Sequence, residues 1–225
     1  MLEQTLQIEA LSRAAVTAIS TQTGEPNWMQ ERRAEAWRLY LDTPFPDPSN
    51  DEPWRRTPLR RLTRRLPKLE HASHAPAVEQ IEDLPEAIQH VLYDSEQRGG
   101  LLVRRDNGVV YYELDEEYAE QGVVFMDLNQ ALQEHPDLVE QHLSKRVKAD
   151  EGKFEALHTA LMAGGAFLYV PEGVVVTRPL QVIHWVDSNN IMLFPHTLMT
   201  VESNAQATLI DEYMSDGQSG YVFVN

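Results

Sequence analysis

The period of the hydrophobic positions changes once along this chain, between residues 152 and 180, GKFEALHTALMAGGAFLYVPEGVVVTRPL. Phe154, Leu157 and Leu161 recur at helical spacing, and Ala156 and Ala160 add helix propensity. Gly164-Gly165 ends that helix, since glycine takes the left-handed conformation that helix ends often use. Phe167–Val170 and Val174–Val176 then read as short strands on either side of the turn Pro171-Glu172-Gly173. Leu180–Val186, Thr197–Val201, Ala207–Asp211 and Tyr221–Val224 continue as strand candidates, and no convincing helical pattern follows.

Upstream, the pattern is helical or mixed. Residues 3–20 have an amphipathic spacing, and Thr23-Gly24-Glu25-Pro26 breaks it, with Pro26 suited to a first turn. A second helix follows over NWMQERRAEAWRLYL, with Met29, Arg33, Ala36, Trp37, Tyr40 and Leu41 on its more apolar side. Pro44, Pro46, Pro48 and Pro53 exclude a regular element from residues 42–53, because proline removes donors and restricts its predecessor. A helix is predicted over Leu84–Tyr93. A hairpin follows over residues 101–112, turning at Asp106-Asn107-Gly108. Gly122–Met126 reads as a strand. Asp127 and Gln130 form a capping box for the next helix, which His135-Pro136 interrupts and which ends near Leu143. The expected organisation is 1–43 helices, 44–83 a Pro-rich and Arg-rich arm, 84–150 a small α+β unit, and 151–225 a β region.

Within the β region, Val170-Pro-Glu-Gly-Val174 has an echo in Val201-Glu-Ser-Asn-Ala205, with Gly173 and Asn204 at the same turn position. Short strands with repeated turns fit a sandwich, a barrel or a β-solenoid. The chain closes on GYVFVN, inside an apparent strand and without a cap, which reads as the front part of a longer protein.

Composition narrows the function classes. A 42% hydrophobic and 24% charged chain of 225 residues is an ordinary globular protein. The N-terminus lacks a basic region followed by an apolar run, and no run approaches the roughly 20 apolar residues of a membrane span, so a cytoplasmic location is expected. There is no cysteine, which removes disulfides and thiolate ligands. A net charge of −16 argues against nucleic acid as the main partner. Arg55, Arg56, Arg60, Arg61, Arg64, Arg65 and Lys68 run against that balance, either as a solvated face or as a docking patch for an acidic partner.

The chemistry-bearing residue types stay scattered. His71 and His74 lie between Pro67 and Pro76 and read as an exposed loop pair. His158, on the helical side of Phe154 and Leu161, and His184, between Ile183 and Trp185, read as buried packing residues. Asp211 and Glu212 are adjacent, so on a strand they face opposite sides. No phosphate-cradling loop or nucleophile elbow is encoded. No residue is therefore assigned as catalytic, cofactor-binding or metal-ligating.

Five stretches carry a resemblance: EPNWMQERRAEAW (residues 25–37), WRRTPLRRL (54–62), GVVFMDLNQALQEHPDLVEQHL (122–143), KFEALHTALMAGGAFLYVPEGVVVTRPL (153–180) and HTLMTVESNAQATLIDEYMS (196–215). In this order they resemble the SufB/SufD family of iron–sulfur cluster assembly proteins, the SufD branch more than SufB. The resemblance implies an α+β N-terminal domain followed by the first coils of a right-handed parallel β-helix, incomplete within these residues. It implies a non-catalytic scaffold subunit acting with a SufB-like subunit and the ATPase SufC, the cluster residing on the assembled complex and no cofactor on this chain. SufB relatives tend to carry a cysteine shortly after the segment matching His196–Ile210, where this chain has Asp211-Glu212-Tyr213-Met214-Ser215. Two other readings stand beside it, a β-helix carbohydrate-active enzyme and a nucleic-acid-binding protein using the arginine run. Unpaired strand edges also lead us to expect self-association through residues 215–225.

Overall fold

The computed structural model describes residues 11–57, 59, 68–69, 76–189, 191–215, 217 and 220–222. The His71/His74 pair and most of the arginine run lie outside those residues; Arg55 and Arg56 are exposed.

Helix α1 spans Arg13–Thr23, entered through Ser12, whose hydroxyl accepts from Ala15 N at 3.2 Å, and left through Gly24 at φ +61°. Residues 3–10 of the predicted helix fall outside the described part. Helix α2, Asn27–Asp42, buries Met29, Arg33, Ala36, Trp37 and Tyr40. Leu41, expected on that side, is instead 55% exposed, because the buried stripe is only one residue wide at its end. The proline segment holds one 3₁₀ turn at Glu52–Trp54.

Strand β1 is Lys68–Leu69, and a 3₁₀ turn at Ile81–Asp83 precedes α3, Glu86–Gln89. The helix expected over residues 84–93 is thus a single turn. Its continuation is diverted: Val91 O accepts from Gln181 Nε2 at 2.9 Å and Tyr93 N donates to Gln181 Oε1 at 3.2 Å. Strands β2 (Gly100–Arg105) and β3 (Gly108–Leu114) form the predicted hairpin. A short helix α4, Glu116–Glu120, went unpredicted and leads into β4, Val124–Asp127. Asp127 caps α5 (Leu128–Glu134) by accepting from Asn129 N at 2.9 Å, but no capping box closes, since Gln130 donates to Glu134. Helices α6 (Pro136–His142) and α7 (Lys153–Leu161) follow.

The β region contains β5 (Gly165–Val170), β6 (Leu180–Val186), β7 (Ile191–Leu193), β8 (His196–Val201), β9 (Leu209–Ser215) and β10 (Gly220–Val222). Val174–Val176 forms no strand, only a parallel bridge between Val175 and Gln206. Among the described residues three sheets result, in the orders β4-β5-β8, β3-β2-β6-β9 and β1-β7-β10. Strands β5, β6 and β7 are therefore an inner layer, and β8, β9 and β10 an outer layer laid on it in parallel. The register joins Gly165 to His196, 31 positions on, and both Leu180 to Leu209 and Ile191 to Gly220, 29 positions on. On its other side the inner layer is paired by β4 (antiparallel), β2 and β1 (both parallel), so the sheets run across residue 150 without a break.

Alternation along β6 decides where the core lies. Leu180 and Val182 join Leu102, Phe125, Ala166 and Leu168 in one buried cluster, while Ile183 and Trp185 join Leu84, Ile88, Leu101 and Val103 in another. Helices α5 and α6 cover the β4–β5 sheet through Leu128, Leu132 and Val139 against Phe167. The helical pair α1–α2 packs on α7 through Val16, Ile19, Trp37, Ala156 and Leu161. A buried ion pair locks that packing: Arg33 holds Glu25 at 2.8 Å and donates to Met162 O at 2.6 Å.

Candidate functional site

The described chemistry gathers at the end of the core face, in a row crossing both layers. Register places Arg104 of β2 beside His184 of β6, and His184 beside Tyr213 of β9. These positions lie on the face of Leu102, Leu180 and Val182, so a charged and an aromatic-polar side chain enter an apolar interior. Arg104 is fully buried and His184 is 3% exposed. The cost of that burial is offset by partners. Arg104 Nε lies 2.9 Å from Asp127 Oδ2, and its Nη2 donates to Asn107 O at 3.0 Å. His184 Nε2 lies 3.1 Å from Asp211 Oδ1, and Thr197 Oγ1 donates to Asp211 Oδ2 at 2.6 Å. The His184 and Tyr213 rings stack at 4.4 Å with 4° between planes.

The turn after α7 is shaped around this row. Gly164 and Gly165 take φ of +66° and +124°, and a Cβ on Gly164 would strike the Arg104 guanidinium. Gly164 N donates to Asn129 Oδ1 at 3.0 Å and Gly165 N to Asp127 Oδ2 at 3.3 Å. The helix-ending glycines thus also admit the arginine.

Electrostatics follows from burial. Burial pushes the His184 imidazole down, opposed by its bond to Asp211, so the ring is neutral near pH 7. Burial pushes the Asp211 carboxyl up, but the bonds from His184 and Thr197 and the charge of Arg104 outweigh it, and the group lies below its ordinary value. Tyr213 is raised by burial and by Asp211. Outside the row, His158 Nε2 lies 3.2 Å from His196 Nδ1, and burial pushes His196 down to about 4.

Of the residues weighed from the sequence, His158 and His184 are 4% and 3% exposed. Asp211 and Glu212 engage different partners, His184 and Gln181, the latter donating to Glu212 Oε2 at 2.7 Å. Sequence reasoning missed the pairing of Arg104 with Asp127; the one signal was an arginine directly following Leu101-Leu102-Val103 in a strand. Among the described residues no group of three or more His, Cys, Asp or Glu could hold a metal ion. The row braces strands β2, β6 and β9 of one sheet against β4 and β8 of another. Elsewhere, an open groove is lined by Val175, Val176, Thr177, Val201 and residues 205–208.

Comparison with known proteins bears on the same elements. The family described as SufBD protein N-terminal region matches residues 100–182, which contain Arg104, Asp127 and both glycines. Iron-sulfur cluster assembly protein SufD of Bacillus subtilis is 34% identical over 194 residues, covering 85% of this chain and 42% of that protein. This chain belongs to the SufB/SufD family. A SufBD family iron-sulfur cluster assembly protein of Pyrococcus horikoshii is 30% identical over 203 residues, 87% of this chain and 44% of its own. Iron-sulfur cluster assembly protein SufB of Bacillus subtilis is 28% identical over 208 residues, 89% of this chain and 43% of its own. The chain corresponds to the N-terminal portion of the family and spans less than half the length of these three relatives. Among the described residues no helix is long and apolar enough to cross a membrane.

Proposed function

We propose that this chain is the N-terminal part of a SufD-like scaffold in iron–sulfur cluster assembly, working in the cytoplasm with a SufB-like subunit and a SufC-like ATPase. The observation that carries it is the 34% identity to a SufD over 194 residues, against 28% to a SufB of the same organism. The side chains support a structural role. The charged groups of the core row face one another as Arg104–Asp127 and His184–Asp211 pairs, and the sequence supplies no cysteine to hold sulfur or a cluster. The reading makes the chain non-catalytic and leaves the cluster to the assembled complex. Parallel pairing at 29 and 31 residue offsets supports the first two coils of a parallel β-helix, with β1, β2 and β4 pairing along its first end.

Deleting the gene in its host tests the role. Cluster-dependent enzymes such as aconitase should lose activity at unchanged protein level, and the restored gene should return it. Unaltered activity in a strain with no second SufD-like gene would contradict the proposal. Anaerobic reconstitution of the isolated chain with iron and sulfide should leave no stoichiometric cluster absorbance, and a retained cluster would contradict its non-ligating role.

A further inference from the structure

Strand β3 is the outermost strand of its sheet, at the end remote from β9. Backbone groups alternate in direction along a strand, so one bond settles which way each of them faces. Asp106 N donates to Trp185 O at 2.8 Å, which turns the even-numbered positions of β2 toward β6 and leaves Leu101 and Val103 facing β3. Their partners there are Glu113 and Tyr111. Tyr112 and Leu114 therefore point their N–H and C=O groups away from the sheet. Asp115 N, donating inward to Gly99 O at 2.9 Å, agrees with that phase. Among the described residues one backbone bond reaches the outer edge, from Val78 N to Val110 O at 2.8 Å, and none reaches Tyr112 or Leu114. Tyr112 is 45% exposed. Edges of this kind are usually blunted by lysine or proline, and β3, GVVYYEL, has neither.

Charge selects what an added strand must carry. Tyr111 and Tyr112 stand on opposite faces of β3. Burial raises the Tyr111 phenol, joined by its bond to Glu113 and by the charges of Glu113 and Glu82, against the charge of Arg98. Burial and the charge of Glu134 raise the Tyr112 phenol. A carboxylate thus flanks the edge on each face, and Glu82 and Glu134 are both exposed, as is Glu116 just past the strand. The cations nearby are engaged elsewhere. Arg98, 3% exposed, holds Glu113 at 2.6 Å, and Arg178 holds Asp115. A second copy of the chain would set a net charge of −16 against another −16, so the complementary occupant is a basic one.

We propose that the free edge of β3 is a docking site for an extended, lysine- or arginine-bearing segment of a partner protein. The segment adds as a strand beside Tyr112 and Leu114, with its cations against Glu82 on one face and Glu134 on the other.

Peptide titration of the 225-residue chain tests the site, with amide exchange read residue by residue. The probe is acetylated Thr-Lys-Lys-Val-Thr-Lys-Lys-Val, whose paired lysines fall on both faces. One control replaces lysine by glutamate; the other methylates two adjacent backbone nitrogens at unchanged charge. The lysine peptide should bind and slow exchange of the Tyr112 and Leu114 amides by about ten-fold or more. The methylated peptide should lose about ten-fold in affinity, and the glutamate peptide should not bind. Glu82→Gln with Glu134→Gln leaves the backbone edge intact and should weaken the lysine peptide several-fold. No binding of the lysine peptide, or equal affinity of the methylated one, would overturn the proposal. So would slowing confined to β8, β9 and β10, unchanged affinity in the double variant, or a dimer that protects Tyr112 and Leu114 without peptide.

Discussion

The inner and outer strand layers differ in burial far more than in sequence. β6 is buried at all seven positions, whereas its register partner β9 is partly or fully exposed at every one. β5 against β8 repeats the contrast, with Phe167 and Leu168 fully buried and Met199 40% exposed. Both layers are rich in β-branched and apolar residues. The inner strands are paired on two edges and covered on both faces, by the core on one side and by α5, α6 or the residue 78–92 segment on the other. Propensity makes these segments strands, and neighbours make them stable.

Core truncation should separate the layers most. Phe167→Ala is expected to lose about 3–5 kcal/mol by cavity formation, and Leu198→Ala, its half-buried partner, less than half of that, in urea unfolding. Equal losses would mean the outer layer is as tightly held as the inner. The helical region offers a matched contrast. Glu25→Ala strands the buried Arg33 and should cost about 3–5 kcal/mol, whereas Glu35→Ala, at an exposed pair with Arg38, should barely move the urea midpoint.

Glycine replacements sharpen the same line. At Gly165, φ +124°, a Cβ meets the His196 backbone, so Gly165→Ala should cost about 3 kcal/mol. Gly173, φ +76°, has open space, and Gly173→Ala should cost about 1–2 kcal/mol. The smallest effect is acid sensitivity. His184 and His196 are held low by burial, so their neutral forms stabilise the fold above about pH 6.5 and that contribution is lost as pH falls. Asp211, also held low, acts in the same direction. Urea midpoints should drop between pH 7.5 and 5.0, and His184→Gln should reduce the drop; a midpoint that rises in acid would contradict this.

What the sequence made legible was local. The switch from helical to strand spacing, the Gly164-Gly165 stop and the Asp106-Asn107 hairpin all depend on residues within a few positions. The echo of residues 170–174 in 201–205 proved spatial as well: Val170 pairs with Val201, and Gly173 N donates to Ser203 O at 3.0 Å. Pairing of Gly100 with Leu180 left no trace, because a parallel ladder across eighty positions has no turn residue to announce it. The pairing of Arg104 with Asp127 was missed for the same reason: Arg104 reads only as the end of a strand and Asp127 only as a helix cap, and the ladders bring them together. The helix over residues 84–93 failed because Gln181, far along the chain, captures its backbone.

The fold rests on two strand layers stacked in parallel at a fixed register. The chain has no native cysteine, so a paired substitution reads that register cleanly. Tyr169→Cys with Thr200→Cys, register partners on the two layers, should form a disulfide under mild oxidation, while Tyr169→Cys with Met199→Cys should not. Cross-linking of the offset pair, or of neither, would contradict the stacked arrangement.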